Sequence, residues 1–259
     1  MKKNILVSII ITNYNKGRFI EKTIKSALNQ EYVNKEVIVF DDGSTDKSMK
    51  IIKKFRNIKI IKNKEKRKIS GPLSQIKGII NSFKFSKGEI LFLLDGDDEF
   101  KNTKLKNIIN YFKKNKSINI IQDKPYIKKQ KKIMKLKKKL HIFSIWPSIY
   151  PTSCITIKKK YFEEFLKYVE KKKFPNLEID SRLVIYAFLK KDLKIINKSF
   201  TIYNFDQNGI TSNYKKFSKK WWIKRKEAFE YMEFLMKKLK IKINRGPDFY
   251  FTKLINLLY

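Results

Sequence analysis

Cysteine is almost missing from this chain of 259 residues. Cys154 stands alone, which excludes an intrachain disulfide and a cysteine-rich zinc site. Histidine is equally rare. The only one, His141, lies between a basic run and an aromatic segment and reads as structural rather than as a ligand. Eight glycines and six prolines are too few to build a flexible linker, and none of the chain reads as one or as an internal repeat. Acid is short as well: 24 Asp and Glu face 61 Lys and Arg, a net charge of +37. No apolar run approaches the ~18–20 residues of a membrane-spanning helix. Met1-Lys2-Lys3 before Ile5–Ile11 mimics a signal peptide. The run is short, however, holds Ser8, and leads into Thr12-Asn13-Tyr14-Asn15 rather than a small-residue cleavage site. It reads as the first core strand. The expectation is a cytoplasmic chain, soluble or peripheral at the inner face of the cell membrane.

What is present is lysine, isoleucine and asparagine in abundance, with arginine only at six positions. AT-rich codons account for part of that bias. The other reading is attraction to anionic partners: a membrane surface, a phosphorylated substrate or nucleic acid. The run Lys128–Lys139 concentrates the charge. It reads as a solvated loop or exposed helix face, with a membrane or acceptor-phosphate patch as the sharper alternative.

The organising stretch is Glu89-Ile90-Leu91-Phe92-Leu93-Leu94-Asp95-Gly96-Asp97-Asp98. An unbroken apolar run after Gly88 predicts a strand buried on both faces of a parallel sheet. Ligands of open α/β sheets sit beyond the carboxyl ends of the strands. Three carboxylates crowded there repel one another, and a hard divalent cation shared with a diphosphate relieves the repulsion. The plain alternative is an acidic turn that caps a helix.

The surrounding pattern alternates strand and helix, which predicts βαβ units in an α/β fold. Strands are expected at Leu6–Ile11, Glu36–Phe40, Ile58–Ile61, Ile118–Ile121, Ser153–Ile157, Leu193–Ile196 and Thr201–Asn204. Helices are expected at Phe19–Leu28, Ser48–Phe55 (capped by Asp46 or Ser44), Leu73–Phe85, Leu105–Phe112, Tyr161–Val169, Leu177–Leu189 and Ser218–Leu239. The last is amphipathic, with Trp221 and Trp222 near its start. Packing on the core is its first reading and a basic helix on lipid its second. Three strand ends carry polar clusters: Thr12-Asn13-Tyr14-Asn15, Asp41-Asp42-Gly43-Ser44 and Asp95-Gly96-Asp97-Asp98. In a parallel sheet all three converge on one edge.

With these clusters, Ser26-Ala27-Leu28-Asn29-Gln30 and Lys87-Gly88-Glu89-Ile90, the chain resembles the family 2 glycosyltransferases of GT-A fold. The match covers roughly the first 120 residues; the remainder is similar only loosely. The resemblance implies a Rossmann-like, mostly parallel sheet flanked by helices, with a C-terminal helical tail. It divides the chain into a catalytic domain over 1–215 and a tail over 216–259. Within the domain, 1–122 would bind the nucleotide-sugar and 123–215 the acceptor. The implied activity is inverting transfer of a sugar from a nucleotide-diphosphate donor, UDP favoured, to a hydroxyl of a cell-surface glycan or lipid-linked acceptor.

Carried over by position, Thr12, Asn13, Tyr14, Asn15 and Asp42 would hold the nucleoside, with Asp42 on the base. Asp97 would be the main ligand of Mn²⁺ or Mg²⁺, assisted by Asp95 and Asp98, with Gly96 between them at the diphosphate. The general base would be Asp180, with Glu178 as its rival. The family's phosphate-facing arginine is absent from Gly71–Gly78, and Lys77 or Arg67 would replace it. A late metal-binding histidine is absent too; the late loop reads first as a plain turn, with Asp206 in the histidine's place as the alternative. The processive Gln-x-x-Arg-Trp motif is missing, so one or a few sugars would be added. Two rivals remain. A nucleotidyltransferase would want a glycine- and arginine-rich phosphate loop early in the chain, which Thr12–Gly17 is not. A basic nucleic-acid-binding protein would show steep salt dependence; no nucleic-acid partner is expected.

Overall fold

The computed structural model describes residues 4–63, 69–136, 146–206, 209–243 and 245–259. His141, Arg67 and the end of the basic run, Lys137–Lys139, lie outside the described residues. In chain order the elements are β1 (Val7–Asn13), α1 (Ile20–Leu28), β2 (Lys35–Asp41), α2 (Ser48–Ile52), β3 (Lys59–Lys62) and α3 (Gly71–Phe85). Then come β4 (Ile90–Asp95), β5 (Glu99–Phe100), α4 (Lys104–Lys114), β6 (Ile120–Gln122), β7 (Pro125–Ile127) and β8 (Lys132–Ile133). After these follow β9 (Ile155–Lys158), α5 (Lys159–Phe165), α6 (Ile179–Leu189), β10 (Leu193–Ile195), β11 (Thr201–Tyr203), α7 (Lys219–Lys238) and α8 (Pro247–Leu257).

Among the described residues, seven strands form the main sheet in the order β10-β6-β9-β4-β1-β2-β3. All neighbours are parallel except β9, which runs antiparallel to both β4 and β6. The mostly parallel α/β architecture expected from the alternating pattern is therefore the one observed. Strand pleating sends successive side chains to opposite faces. Ile10, Leu91 and Leu93 join the core under α3, α5, α6 and α7, while Ile9, Ile11, Phe92 and Leu94 join the core under α1 and α4. Both faces are covered, which is why the central strands read as unbroken apolar runs.

A smaller sheet, β5-β11-β7-β8, stands beside the carboxyl end of β4. Its strands have two or three residues each and were not anticipated, β11 apart. The basic segment from Lys128 forms a turn and β8, not a helix. Ser153 starts no strand; Thr152–Cys154 is a 3-10 turn before β9. Lys47, not Asp46 or Ser44, is the N-cap of α2; Asp46, one residue before it, accepts from Ser48 N with Oδ1 at 2.8 Å. The tail helix α7 packs against α6 and α8, burying Trp222, Phe229, Met232 and Leu235, as the core-packing reading has it. Helix α8 was not anticipated. None of the helices among the described residues is long and apolar enough to cross a membrane.

Candidate active site

Register alone gathers the three polar clusters. Thr12 lies beside Asp95 across β1 and β4, and Asn13 beside Asp41 across β1 and β2. The strand ends open on a cavity of about 390 Å³. Thr12, Asn13, Tyr14, Asp42, Asp95, Gly96 and Asp97 line it from the sheet side, and Glu178 and Asp180 from the start of α6. Residues far apart in the chain thus meet where the sequence places a ligand.

The second cluster is held by its own hydrogen bonds. Asp41 is buried and accepts from Asn13 Nδ2 at 2.7 Å, Ser44 Oγ at 2.6 Å and Ser44 N at 3.0 Å. Gly43 has φ 75°, the left-handed conformation this turn needs and glycine adopts without penalty. Asp42 accepts from Asn63 Nδ2 at 2.9 Å and from Ser74 Oγ on α3. Asn15 braces the turn from outside: its Oδ1 accepts from Thr45 N at 2.8 Å, and it does not line the cavity.

In the acidic cluster the three aspartates diverge. Asp95 accepts from Gln75 Nε2 at 2.7 Å and Thr12 Oγ1 at 3.2 Å. Burial and the neighbouring Asp97 charge raise its carboxyl to about 6. Gly96 passes so close to β1 that a Cβ there would stand 3.0 Å from both Asn13 Oδ1 and Thr12 O. Asp97 faces the cavity, and its Oδ2 is 2.6 Å from Lys16 Nζ. The same ammonium is 2.6 Å from Asp206 Oδ2. Burial lowers the Lys16 pKa, but the two carboxylates outweigh burial and hold it above its usual value.

Asp98 does not belong with the other two. It is fully buried, turned from the cavity, and accepts from Ser153 Oγ at 2.6 Å and Asn204 N at 2.9 Å. Burial and the charges of Asp97 and Asp95 hold its pKa well above the ordinary carboxylate range. The expectation that it helps hold a metal is corrected: it ties β4 to the 3-10 turn and to β11. Lys77 is corrected too. It lies on the exposed side of α3 and is absent from the cavity lining. Gln75 lines the site instead, ~200° away around a helix of 3.6 residues per turn.

On the far wall, Glu178 pairs with Lys224 of α7. Among the described residues, Asp180 forms no ion pair of its own. Burial, then the Glu178 charge, raise its carboxyl to about 7, with Lys224 opposing. Arg182, two residues further into α6, is fully buried. Its guanidinium donates to the carbonyls of Val169, Glu170, Lys173, Phe174 and Leu177. That clasp fixes the loop leading to Glu178 and Asp180.

Three buried acceptors on the cavity wall have no hydrogen-bond partner: Asn13 Oδ1, Gln75 Oε1 and Glu178 Oε2. A buried orphan acceptor is costly unless a ligand or water supplies a donor or a cation. Sequence reasoning missed Lys16, Ser74, Gln75 and Lys224. For Ser74 and Gln75 a signal existed: they closely follow Gly71-Pro72 at the start of α3. Lys224 had none, because only tertiary packing brings α7 to the site.

The comparisons agree with this geometry. The model of glycosyl transferase family 2 matches residues 8–178. A β-1,3-glucosyltransferase of Escherichia coli, WfaP, which uses UDP-Glc and a diphosphoundecaprenol-linked GlcNAc, is 38% identical over 113 residues, 43% of each chain. The poly(ribitol-phosphate) β-N-acetylglucosaminyltransferase TarP of Staphylococcus aureus is 36% identical over 125 residues, 47% of this chain and 36% of TarP. The matched stretch is thus less than half the length of either relative. Among solved structures, S. aureus TarS in complex with UDP superposes with a TM-score of 0.64 at 15% identity, covering 97% of this chain and 69% of that one. A mannosyltransferase of Pyrobaculum calidifontis with GDP-Man and Mn²⁺ gives 0.60 at 14%, covering 99% and 70%. The fold is accordingly GT-A, and the chain belongs to glycosyl transferase family 2.

Proposed function

We propose that this protein is an inverting glycosyltransferase. It moves a sugar from a nucleotide-diphosphate donor, a UDP-sugar by preference, to a hydroxyl of a cell-surface glycan or lipid-linked acceptor, at the cytoplasmic side of the membrane. The observation that carries the reading is the meeting of Asp42, Asp95 and Asp97 with Asp180 around one cavity. UDP-Glc, UDP and GDP-Man in the names of WfaP and the two solved structures support a nucleotide-sugar donor.

In this reading Thr12, Asn13 and Tyr14 cradle the nucleoside, and Asp42 accepts from the base. Gly96 leaves room for the diphosphate. A divalent cation, Mn²⁺ or Mg²⁺, fits the residues present. Lys16 already sets one positive charge between Asp97 and Asp206, so the pocket is built to hold a cation. Among the described residues no three acidic, thiol or imidazole groups form a complete metal cage. Asp97 and Asp95 would therefore share the ion with the donor's phosphates, as Mg²⁺-type sites commonly do. Bound there, the ion would supply charge stabilisation for the departing diphosphate.

Asp180 takes the proton from the acceptor hydroxyl. Its raised pKa suits a base that must hold a proton and release it near neutrality. Glu178, tied to Lys224, keeps the wall ordered. Residues 1–122 supply the donor side and 123–215 the acceptor side, with α7 of the tail adding Lys224. Neither the nucleotidyltransferase nor the nucleic-acid reading is favoured, given the family.

Melting temperatures measured with UDP-, GDP-, CMP- and dTDP-sugars in Mn²⁺ test the proposal. A UDP-sugar should stabilise the wild type and leave Asp97→Ala unmoved. If no nucleotide-sugar raises the melting temperature, the donor assignment fails. Salt-sensitive binding of DNA or RNA that ignores Asp97→Ala would restore the nucleic-acid reading.

A further inference from the structure

Helix α8 is folded with its polar side inward. Arg225 of α7 donates to Thr252 Oγ1 at 2.8 Å and to Asp248 Oδ2 at 2.9 Å, and Asn256 Nδ2 donates to Trp222 O at 3.1 Å. The apolar side faces out. Tyr250, Phe251 and Leu254 are each more than half exposed, and Leu257 and Leu258 are 75% exposed. An ordinary surface helix does the reverse.

A second segment extends the patch. Phe217, just before α7, is 60% exposed and sits at φ 67°, a conformation unusual for a bulky residue. Its ring lies 5.5 Å from Trp221, Trp221 lies 4.7 Å from Trp222, and Trp222 lies 5.7 Å from Phe251. Lys215, Lys216, Lys219, Lys220 and Lys253 are exposed around these rings. Between Gly209 and Lys226 there is no acidic residue, and Asp248, the one acid from Gly246 to Tyr259, is held by Arg225.

We propose that this face docks on an anionic phospholipid bilayer. Contiguous exposed apolar side chains mark an interaction surface. Apolar residues flanked by lysines, with no acid facing out, suit acyl chains beneath anionic headgroups. The face also adjoins the site. Lys224, which lines the cavity, follows Trp221 by three residues on α7, ~4.5 Å of helical rise. Docking brings the acceptor wall to the lipid surface, so an acceptor anchored in the bilayer reaches the base without leaving it. This last step rests on the transferase reading above; the docking face does not.

Co-sedimentation with phosphatidylcholine vesicles, with and without phosphatidylglycerol, tests the face. The wild type should partition onto the anionic vesicles. A Leu254→Ser, Leu257→Ser double variant, altered only at exposed positions, should partition at least about tenfold less with an unchanged melting temperature. Wild type that stays in the supernatant overturns the proposal. So does equal binding of wild type and variant, which would mean charge alone acts. Self-association of the wild type that the variant abolishes, seen by analytical ultracentrifugation, would assign the face to a second copy and also overturn it. Vesicle binding by a protein that no nucleotide-sugar stabilises would uphold the face and remove the transferase reading.

Discussion

Lys16 Nζ and Asp97 Oδ2 lie 2.6 Å apart at the mouth of the strand ends, and the lysine bridges on to Asp206. The ammonium occupies the charge position a divalent ion would claim on Asp97. The two cations therefore compete. In a Lys16→Met variant, Asp97 and Asp206 lose the ammonium that stands between them. Its melting temperature without metal should fall below the wild type's, and Mn²⁺ should raise it by more than it raises the wild type's, because ligand binding adds to folded-state stability. Equal Mn²⁺ shifts in the two proteins would show that the ion does not meet Asp97.

Asp180 links activity to pH. Its carboxyl is raised to about 7 by burial and by Glu178. A base must be ionised, so kcat should climb as pH rises through 7. Asp180→Asn should lose ~10²–10⁴-fold in kcat, the usual worth of general acid–base catalysis. Glu178→Gln should cost less. Stability runs the other way. The folded chain keeps a proton that the unfolded chain releases near the ordinary aspartate value of 3.8, so stability falls as pH rises from about 4 to about 7. Asp180→Asn removes that penalty: it should melt higher than wild type at pH 7.5 and equally at pH 4. If kcat is flat from pH 6 to 8, Asp180 is not the base.

Gln75 and Lys77 separate position in sequence from position in space. Gln75→Ala should weaken nucleotide-sugar binding by about fivefold, the worth of roughly one hydrogen bond. Lys77→Ala should leave the dissociation constant unchanged at moderate salt. Isothermal titration with the best-stabilising donor measures both, and a loss confined to Lys77→Ala would reverse the assignment.

Behind the acidic motif, Lys104 is fully buried and donates to Asp123 Oδ1 at 2.8 Å, Ser153 O at 2.7 Å and Thr201 Oγ1 at 2.7 Å. Removing one partner of a buried ion pair strands the other. Lys104→Met should cost about 3–5 kcal/mol in urea unfolding. Adding Asp123→Leu to it should recover part of that loss. A double variant no better than the single would mean the pair's worth lies in its bonds to Ser153 and Thr201.

The centre of the molecule was legible because its determinants are local. Strands β1, β2 and β4 carry apolar runs buried on both faces, and the polar residues that follow each run (Thr12-Asn13, Asp41 and Asp95) mark where the sheet ends. The small sheet was not legible. Glu99–Phe100 is a strand through its pairing with Thr201–Tyr203, far along the chain, and Pro125–Ile127 lies between Thr201–Tyr203 and Lys132–Ile133. Helix α8 went unread although Gly246-Pro247 is a fair start signal; its outward apolar side broke the expected pattern. At the site, Thr12, Asn13, Tyr14, Asp42, Asp95, Gly96, Asp97, Glu178 and Asp180 were all anticipated and all meet on one cavity. Asp98 was expected to assist Asp97, yet a neighbour in sequence points elsewhere once Ser153 and Asn204 claim it.

Strand β9 comes from a later part of the chain, after β8, yet is inserted beside β4, with β6 and β10 beyond it. Its ladder bonds to β4 on one side and β6 on the other hold early and late strands in one continuous sheet. For the same reason a fragment ending at Gln122 would bare the flank of β4 and the cluster around Leu91 and Leu93, and would aggregate before it bound anything.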